Sequence, residues 1–219
     1  MPGLDTTTYV VLSLIAIFFA IGIHEYAHAK VADASGDPTP RTYGRVTLNL
    51  FKHFDPLGAI FIIFTTLAGF GIGWGKPVPM NPSRMKNPKW DHFWAVAAGP
   101  LSNLLQASIF ALVGRVLLMA DIPSSNLILI FCILASLINC GLFLFNLLPI
   151  GPLDGMWILG TFMPDPIRLQ WTRWNLTTGQ FVFLGLVLIG QMNPSLSIFG
   201  HVIRPLMSAL SRVLWGVSI

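Results

Sequence analysis

Two histidines and a glutamate fall within five residues, His24-Glu25-Tyr26-Ala27-His28. Residues four apart share one face of a helix, so both imidazoles would project together with the carboxylate beside them. Two ring nitrogens on one face can hold a divalent metal, and the glutamate is placed to take a proton from a metal-bound water. Zinc suits this chemistry because it lowers the pKa of bound water to about 7. The chain holds five histidines and a single glutamate. At that composition the H-E-x-x-H spacing arises by accident about 5 × 10⁻⁴ times per chain, so the signal is specific. A catalytic zinc ordinarily takes three protein ligands. Asp154 directly follows the break Pro149-Ile150-Gly151-Pro152 and is placed either to supply the third or to cap the helix that follows. Asn146 could donate its amide to an oxyanion on a scissile carbonyl, or bond to a neighbouring helix.

The elements that must position these residues are membrane segments. Of 219 residues, 54% are hydrophobic and 10% charged, and the mean hydropathy is +0.70. A soluble domain carries roughly a quarter charged residues, and a net charge of +4 spread so thinly is no nucleic-acid footprint. The basic residues sit in short connections between apolar runs, as in a polytopic membrane protein. Runs at 9–31, 92–120, 126–148, 179–192 and 196–217, with a glycine-bearing run at 57–74, predict five to six membrane segments in an all-α protein. The alternation Arg45-Val46-Thr47-Leu48-Asn49-Leu50 reads as a short strand, and Gly75-Lys76-Pro77-Val78-Pro79-Met80-Asn81-Pro82 is too proline-rich for any helix.

No linker or internal repeat divides the chain, so a single membrane-embedded domain over 1–219 is expected, with a catalytic core at about 9–163 and C-terminal helices at about 179–217. Cys132 and Cys140 read as buried small hydrophobes. The first five residues carry no basic group, which argues against a cleaved signal peptide. One conflict constrains the topology. His24 lies near the far end of the first run and Asp154 near the far end of the fourth. If every run crosses, those ends face opposite sides. A re-entrant hairpin or a partial span at 57–74 removes the conflict.

Taken jointly, His24–His28, His53-Phe54-Asp55-Pro56-Leu57-Gly58, Gly75-Lys76-Pro77-Val78-Pro79, Gly99-Pro100-Leu101-Ser102-Asn103 and Asn146–Gly155 resemble the site-2 protease family of intramembrane zinc metalloproteases. The likeness is nearest to the short bacterial and archaeal members without PDZ or CBS domains. The resemblance implies one Zn²⁺ bound by His24, His28 and Asp154, with Glu25 as general base and Asn146 holding the substrate or its oxyanion. It also implies small strands at Arg45–Leu50 and Lys76–Met80 near the site, and a histidine end that faces the cytoplasm. It implies a multi-pass protein of the cell membrane, surrounded by the lipid bilayer, that cuts membrane-protein substrates in or near a transmembrane segment. His53 reads first as a loop histidine bonded locally, and otherwise as a supporting partner or alternative ligand. His92 and His201 read as interface or span-end residues. Two other readings compete on the residues alone. One is a membrane iron enzyme using a 2-His-1-carboxylate site, and the other is a transporter or binding protein built on the broken fourth run.

Overall fold

The computed structural model describes residues 4–67 and 73–216, and the described residues hold helices and extended connections with no strand. The protein is an all-α polytopic membrane protein. Helix α1 (Thr6–Ala34) starts at Asp5, whose carboxylate accepts the Thr8 N–H at 2.9 Å. At ~1.5 Å per residue, its 29 residues span about 44 Å, more than the ~30 Å of a hydrocarbon core. After the short α2 (Thr39–Thr42) comes α3 (Pro56–Leu67), then the long α4 (Pro88–Met119) and α5 (Leu127–Asn146). The chain continues as α6 (Asp154–Thr161), α7 (Asp165–Trp174), α8 (Gln180–Met192) and α9 (Ile198–Trp215), with a π-helical turn at Asn175–Gly179 joining α7 to α8.

Helices α1, α4 and α5 form the centre. Ala95, Gly99, Asn103, Ala107 and Ala111 repeat every fourth residue along α4 and are all buried. Such a stripe lets neighbouring backbones approach closely, which is how helices associate where lipid supplies no hydrophobic drive. His24 of α1 meets Asn103 of α4 and His28 meets Ala95, so α1 and α4 run antiparallel. Asn139 of α5 meets Asn103, and Ser136 donates to the Ala107 carbonyl at 3.0 Å, so α5 is antiparallel to α4 and parallel to α1. The C-terminal ends of α1 and α5 therefore lie on one side.

That arrangement requires the connection from α1 to α4 to begin and end on the same side, and its middle does so. Phe54 and Gly75 pair in an antiparallel bridge, and the Lys76 N–H donates to the His53 carbonyl at 2.7 Å. Trp74 lies over the start of α3, where a Cβ on Gly58 would come within 2.3 Å of its carbonyl. Phe54 and Gly75 on either side of this run thus lie together, as a hairpin between them requires. The described 12 residues of α3 are about 18 Å long.

Two expectations need correction. Arg45–Leu50 forms bends leading into a 3-10 turn at Leu50–His53, and Lys76–Met80 is extended with no strand partner. Alternation alone does not make a strand where the backbone finds no ladder, and here Arg45 and Thr47 bond within the loop. Among the described residues, four helical stretches are long and apolar enough to cross a membrane: Thr6–Ala34, Pro88–Met119, Leu127–Asn146 and Asp165–Met192. The sixth run becomes α9, which carries His201, Arg204 and Arg212 along 18 residues. It lies along α5 in the opposite direction, with Phe199 against Phe145 and Trp215 packed with Cys132.

Candidate metal centre

His24 and His28 sit one turn apart on the face of α1 turned to α4, both buried. Their rings are fixed from behind. His24 Nδ1 lies 2.6 Å from Asn103 Oδ1, and His28 Nδ1 lies 2.8 Å from the Ala95 carbonyl oxygen. The orientation of the Asn103 amide follows from its other bonds. Its Nδ2 donates to the Ala20 carbonyl at 3.1 Å and to Asn139 Oδ1 at 2.9 Å, and Asn139 Nδ2 donates to the Ala135 carbonyl at 2.9 Å. Each partner of a histidine Nδ1 is thus an acceptor, so both Nδ1 atoms carry the proton and both Nε2 lone pairs point inward.

Asp154 completes the group from α6. It is the first residue of that helix, with Leu153 in the capping position and no side-chain cap, so capping is not what its carboxylate does here. Asp154 Oδ2 stands 3.2 Å from His24 Nε2 and 3.4 Å from His28 Nε2, and the two Nε2 atoms are 3.0 Å apart. Oδ2 is buried without a hydrogen-bond partner. Three acceptor atoms converging in a buried place with no proton between them repel unless a cation joins them. Their spacing fits that cation. Ligands about 2.0–2.1 Å from a tetrahedral zinc stand about 3.3–3.4 Å from one another. Among the described residues, His24, His28 and Asp154 are the one such group of metal-binding side chains.

The break after α5 is held so that Asp154 reaches α1. The Gly151 N–H donates to Asn175 Oδ1 at 2.6 Å, and Trp171 Nε1 donates to the Met156 carbonyl at 2.8 Å, which ties α6 to the α7–α8 connection. A Cβ on Gly155 would come within 2.4 Å of the Leu147 and Leu148 carbonyls, and one on Gly99 within 2.3 Å of His28 Nε2. Both positions need glycine for close approach.

Glu25, beside His24 on α1, also reaches Gly75 and Arg45. A Cβ on Gly75 would lie 3.0 Å from its Oε1, and its Oε2 is 4.0 Å from Arg45 Nη2. Asn146 ends α5 half-buried, and its Nδ2 donates to the Leu142 carbonyl of its own helix at 3.0 Å. His53 is fully buried, with Nε2 2.9 Å from the Thr47 carbonyl oxygen. Burial pulls its pKa down, and the Thr47 carbonyl opposes this while the Arg45 charge adds to it. His53 stands outside the metal group, as does His92, whose ring packs edge-on against Trp157. His201 bonds within α9, to the Ser197 carbonyl. Cys132 and Cys140 are buried free thiols.

Asn103, Asn139, Asn175 and Arg45 carry much of this architecture. Sequence reasoning met Asn103 only as the end of the Gly99–Asn103 motif and Arg45 only as the start of an alternating stretch, and it did not meet Asn139 or Asn175 at all. For Arg45 and Asn175, no spacing announces partners 31 and 24 positions away.

In comparison with known proteins, the chain is 42% identical over 190 residues to "Putative zinc metalloprotease YwhC" of Bacillus subtilis (strain 168), a match covering 84% of this chain and 81% of that protein. No protein-family model and no solved structure matches the chain.

Proposed function

Because the chain belongs to the zinc metalloprotease family of that Bacillus subtilis relative, we propose that it is an intramembrane endopeptidase of the site-2 protease type. On this reading it is one membrane-embedded domain over residues 1–219, multi-pass in the cell membrane. It hydrolyses peptide bonds in or near transmembrane segments of membrane-protein substrates. The observation that carries the reading is the buried triangle of His24 Nε2, His28 Nε2 and Asp154 Oδ2, with edges of 3.0–3.4 Å.

His24, His28 and Asp154 would hold one zinc ion. When bound, zinc supplies a water acidic enough to ionise near neutral pH and a positive charge facing the scissile carbonyl. Glu25 accepts that water's proton and delivers it to the departing amine nitrogen, which makes it a general base and then a general acid. Its neighbour on α1 is a ligand, so the carboxylate is positioned by the same helix that positions the metal. Asn146 presents its amide to the substrate backbone or the developing oxyanion after its bond to the Leu142 carbonyl is released. With Lys76 and Pro77 bonded to His53 and Arg45, the backbone groups of Val78–Met80 are left to offer hydrogen bonds to a substrate segment that has unwound.

The test begins with metal content. About one zinc per chain by mass spectrometry of the detergent-purified protein, lost or much weakened in Asp154→Ala, is the expected result. Cleavage of co-expressed single-span membrane proteins should stop in Glu25→Gln while its zinc is retained. Iron in place of zinc would favour an oxygenase-type site. No metal after chelator-free handling would end the hydrolase reading.

A further inference from the structure

Arg45 is a guanidinium with 3% of its surface exposed in a chain with few charges to spare. Its backbone is fixed first. Gly44 turns the chain through the left-handed region at φ +65°, and the Arg45 N–H donates to the Pro40 carbonyl at 2.8 Å. From there the side chain enters the protein between α1 and the extended segment. Nη1 donates to the Pro77 carbonyl at 3.3 Å and Nη2 to the Lys76 carbonyl. Neither partner carries charge, and Nε has no hydrogen-bond partner. A buried cation needs a counter-charge, and among the described residues Glu25, 4.0 Å away, is the carboxylate within ion-pair reach. His53 is the other ionisable group whose electrostatics Arg45 influences, and its one bond is to the Thr47 carbonyl.

We propose that Arg45 is a positioning residue that acts through Glu25, holding that carboxylate and the Lys76–Pro77 backbone in one fixed relation. The proposal rests on the reading of Glu25 as the general base. The geometry suits that role in two respects. At 4.0 Å the two groups attract without a direct hydrogen bond, so the lone pairs of Glu25 stay unclaimed for a proton. The planar fork of arginine reaches two adjacent carbonyls and a carboxylate at once, which the single ammonium of lysine cannot do.

Thermal unfolding of the full chain in detergent, for Arg45→Gln, Glu25→Gln and the double variant, tests the link. Each single change leaves one buried charge without its partner, and the double change removes both. The expected result is a double variant whose midpoint falls by clearly less than the sum of the two single shifts. Additive shifts would overturn the proposal, because an arginine serving the two carbonyls alone would not sense residue 25. Should Arg45→Gln fail to fold, Arg45→Lys keeps the charge. It should retain zinc and lose at least tenfold in cleavage, whereas parental cleavage in this variant would also overturn the proposal. Hydrogen exchange of residues 73–81 should quicken in either Arg45 variant, and unchanged exchange counts against the tie. The unfolding cycle reads the pair whether or not the protein cuts peptides. Loss of the protease reading would appear separately, as absent zinc or as activity that survives Glu25→Gln.

Discussion

Asn103 shows how much of the candidate metal site lies one bond behind His24 and His28. Its carbonyl oxygen fixes the His24 tautomer, while its NH₂ group is spent on Ala20 and Asn139. Asn103→Ala would leave the His24 Nδ1–H and the Asn139 oxygen buried without partners. Such losses cost about 1–3 kcal/mol of stability, and removing a support of this kind weakens metal binding roughly 10–100-fold. A zinc titration against a competing chelator should show that weakening with the ligand set intact, and unchanged affinity would remove Asn103 from the site. Gly99→Ala is the steric counterpart. Its methyl would stand 2.3 Å from His28 Nε2, so the variant should lose zinc even though no ligand changes, measured as metal content after purification.

At the scale of elements, the long connection between α1 and α4 is held by Asp37. This carboxylate is fully buried and accepts the Asn81 N–H at 2.6 Å, the Thr39 hydroxyl at 2.5 Å and the Thr39 N–H at 3.0 Å. Burial raises its pKa, but the hydrogen bonds from Asn81 and Thr39, with the Arg84 charge, outweigh that and hold it below its ordinary value. A carboxyl more acidic folded than unfolded stabilises fully above its unfolded value, near ~3.9, and that contribution is lost as pH falls through the folded value. The unfolding midpoint should therefore drop as the solution is acidified from about pH 6 to about pH 3. Asp37→Asn should start a few degrees lower at neutral pH and slope less, and an identical slope would show that the bonds to Asn81 and Thr39 do not act this way. The hairpin at 57–74 makes a second prediction. Thr42 and Ser83 are both exposed and flank it. Cysteines at the two positions should react with a membrane-impermeant maleimide from the same side, since Cys132 and Cys140 are buried. Labels on opposite sides would mean that the segment crosses.

Across the whole molecule, the C-terminal helix is joined to the core by Trp215. Its ring lies where a Cβ on Gly114 would come within 2.3 Å, and its Nε1 donates to Ser136 Oγ at 3.1 Å, while Ser136 donates to the Ala107 carbonyl. One side chain thus links α9 to α4 and α5 at the end away from the metal residues. Trp215→Ala should cost about 3–5 kcal/mol, the usual range for emptying a buried aromatic site. It should speed hydrogen exchange through α9 and leave zinc content unaltered. Loss of zinc in that variant would show that α9 also supports the site.

The sequence determined the pairing of the two histidines because H-E-x-x-H is a local pattern: helical periodicity alone puts His24 and His28 on one face of α1 with Glu25 beside them. It determined the membrane class too, since hydropathy sums over a run and needs no knowledge of neighbours. The parity of the runs pointed to a hairpin or partial span at 57–74, and the Phe54–Gly75 bridge brings the ends of that stretch together. What only the tertiary structure decided is whatever depends on contacts between distant positions. The convergence of Asp154 on the two histidines depends on the parallel course of α1 and α5. The supports of that triangle, Asn103 through Asn139 and the Gly151 N–H through Asn175, are ordinary amides in apolar runs until helix packing brings them together. Alternation at Arg45–Leu50 misled because a period of two is necessary for a strand but not sufficient. The backbone there satisfies itself in turns, and its arginine goes inside to meet Glu25.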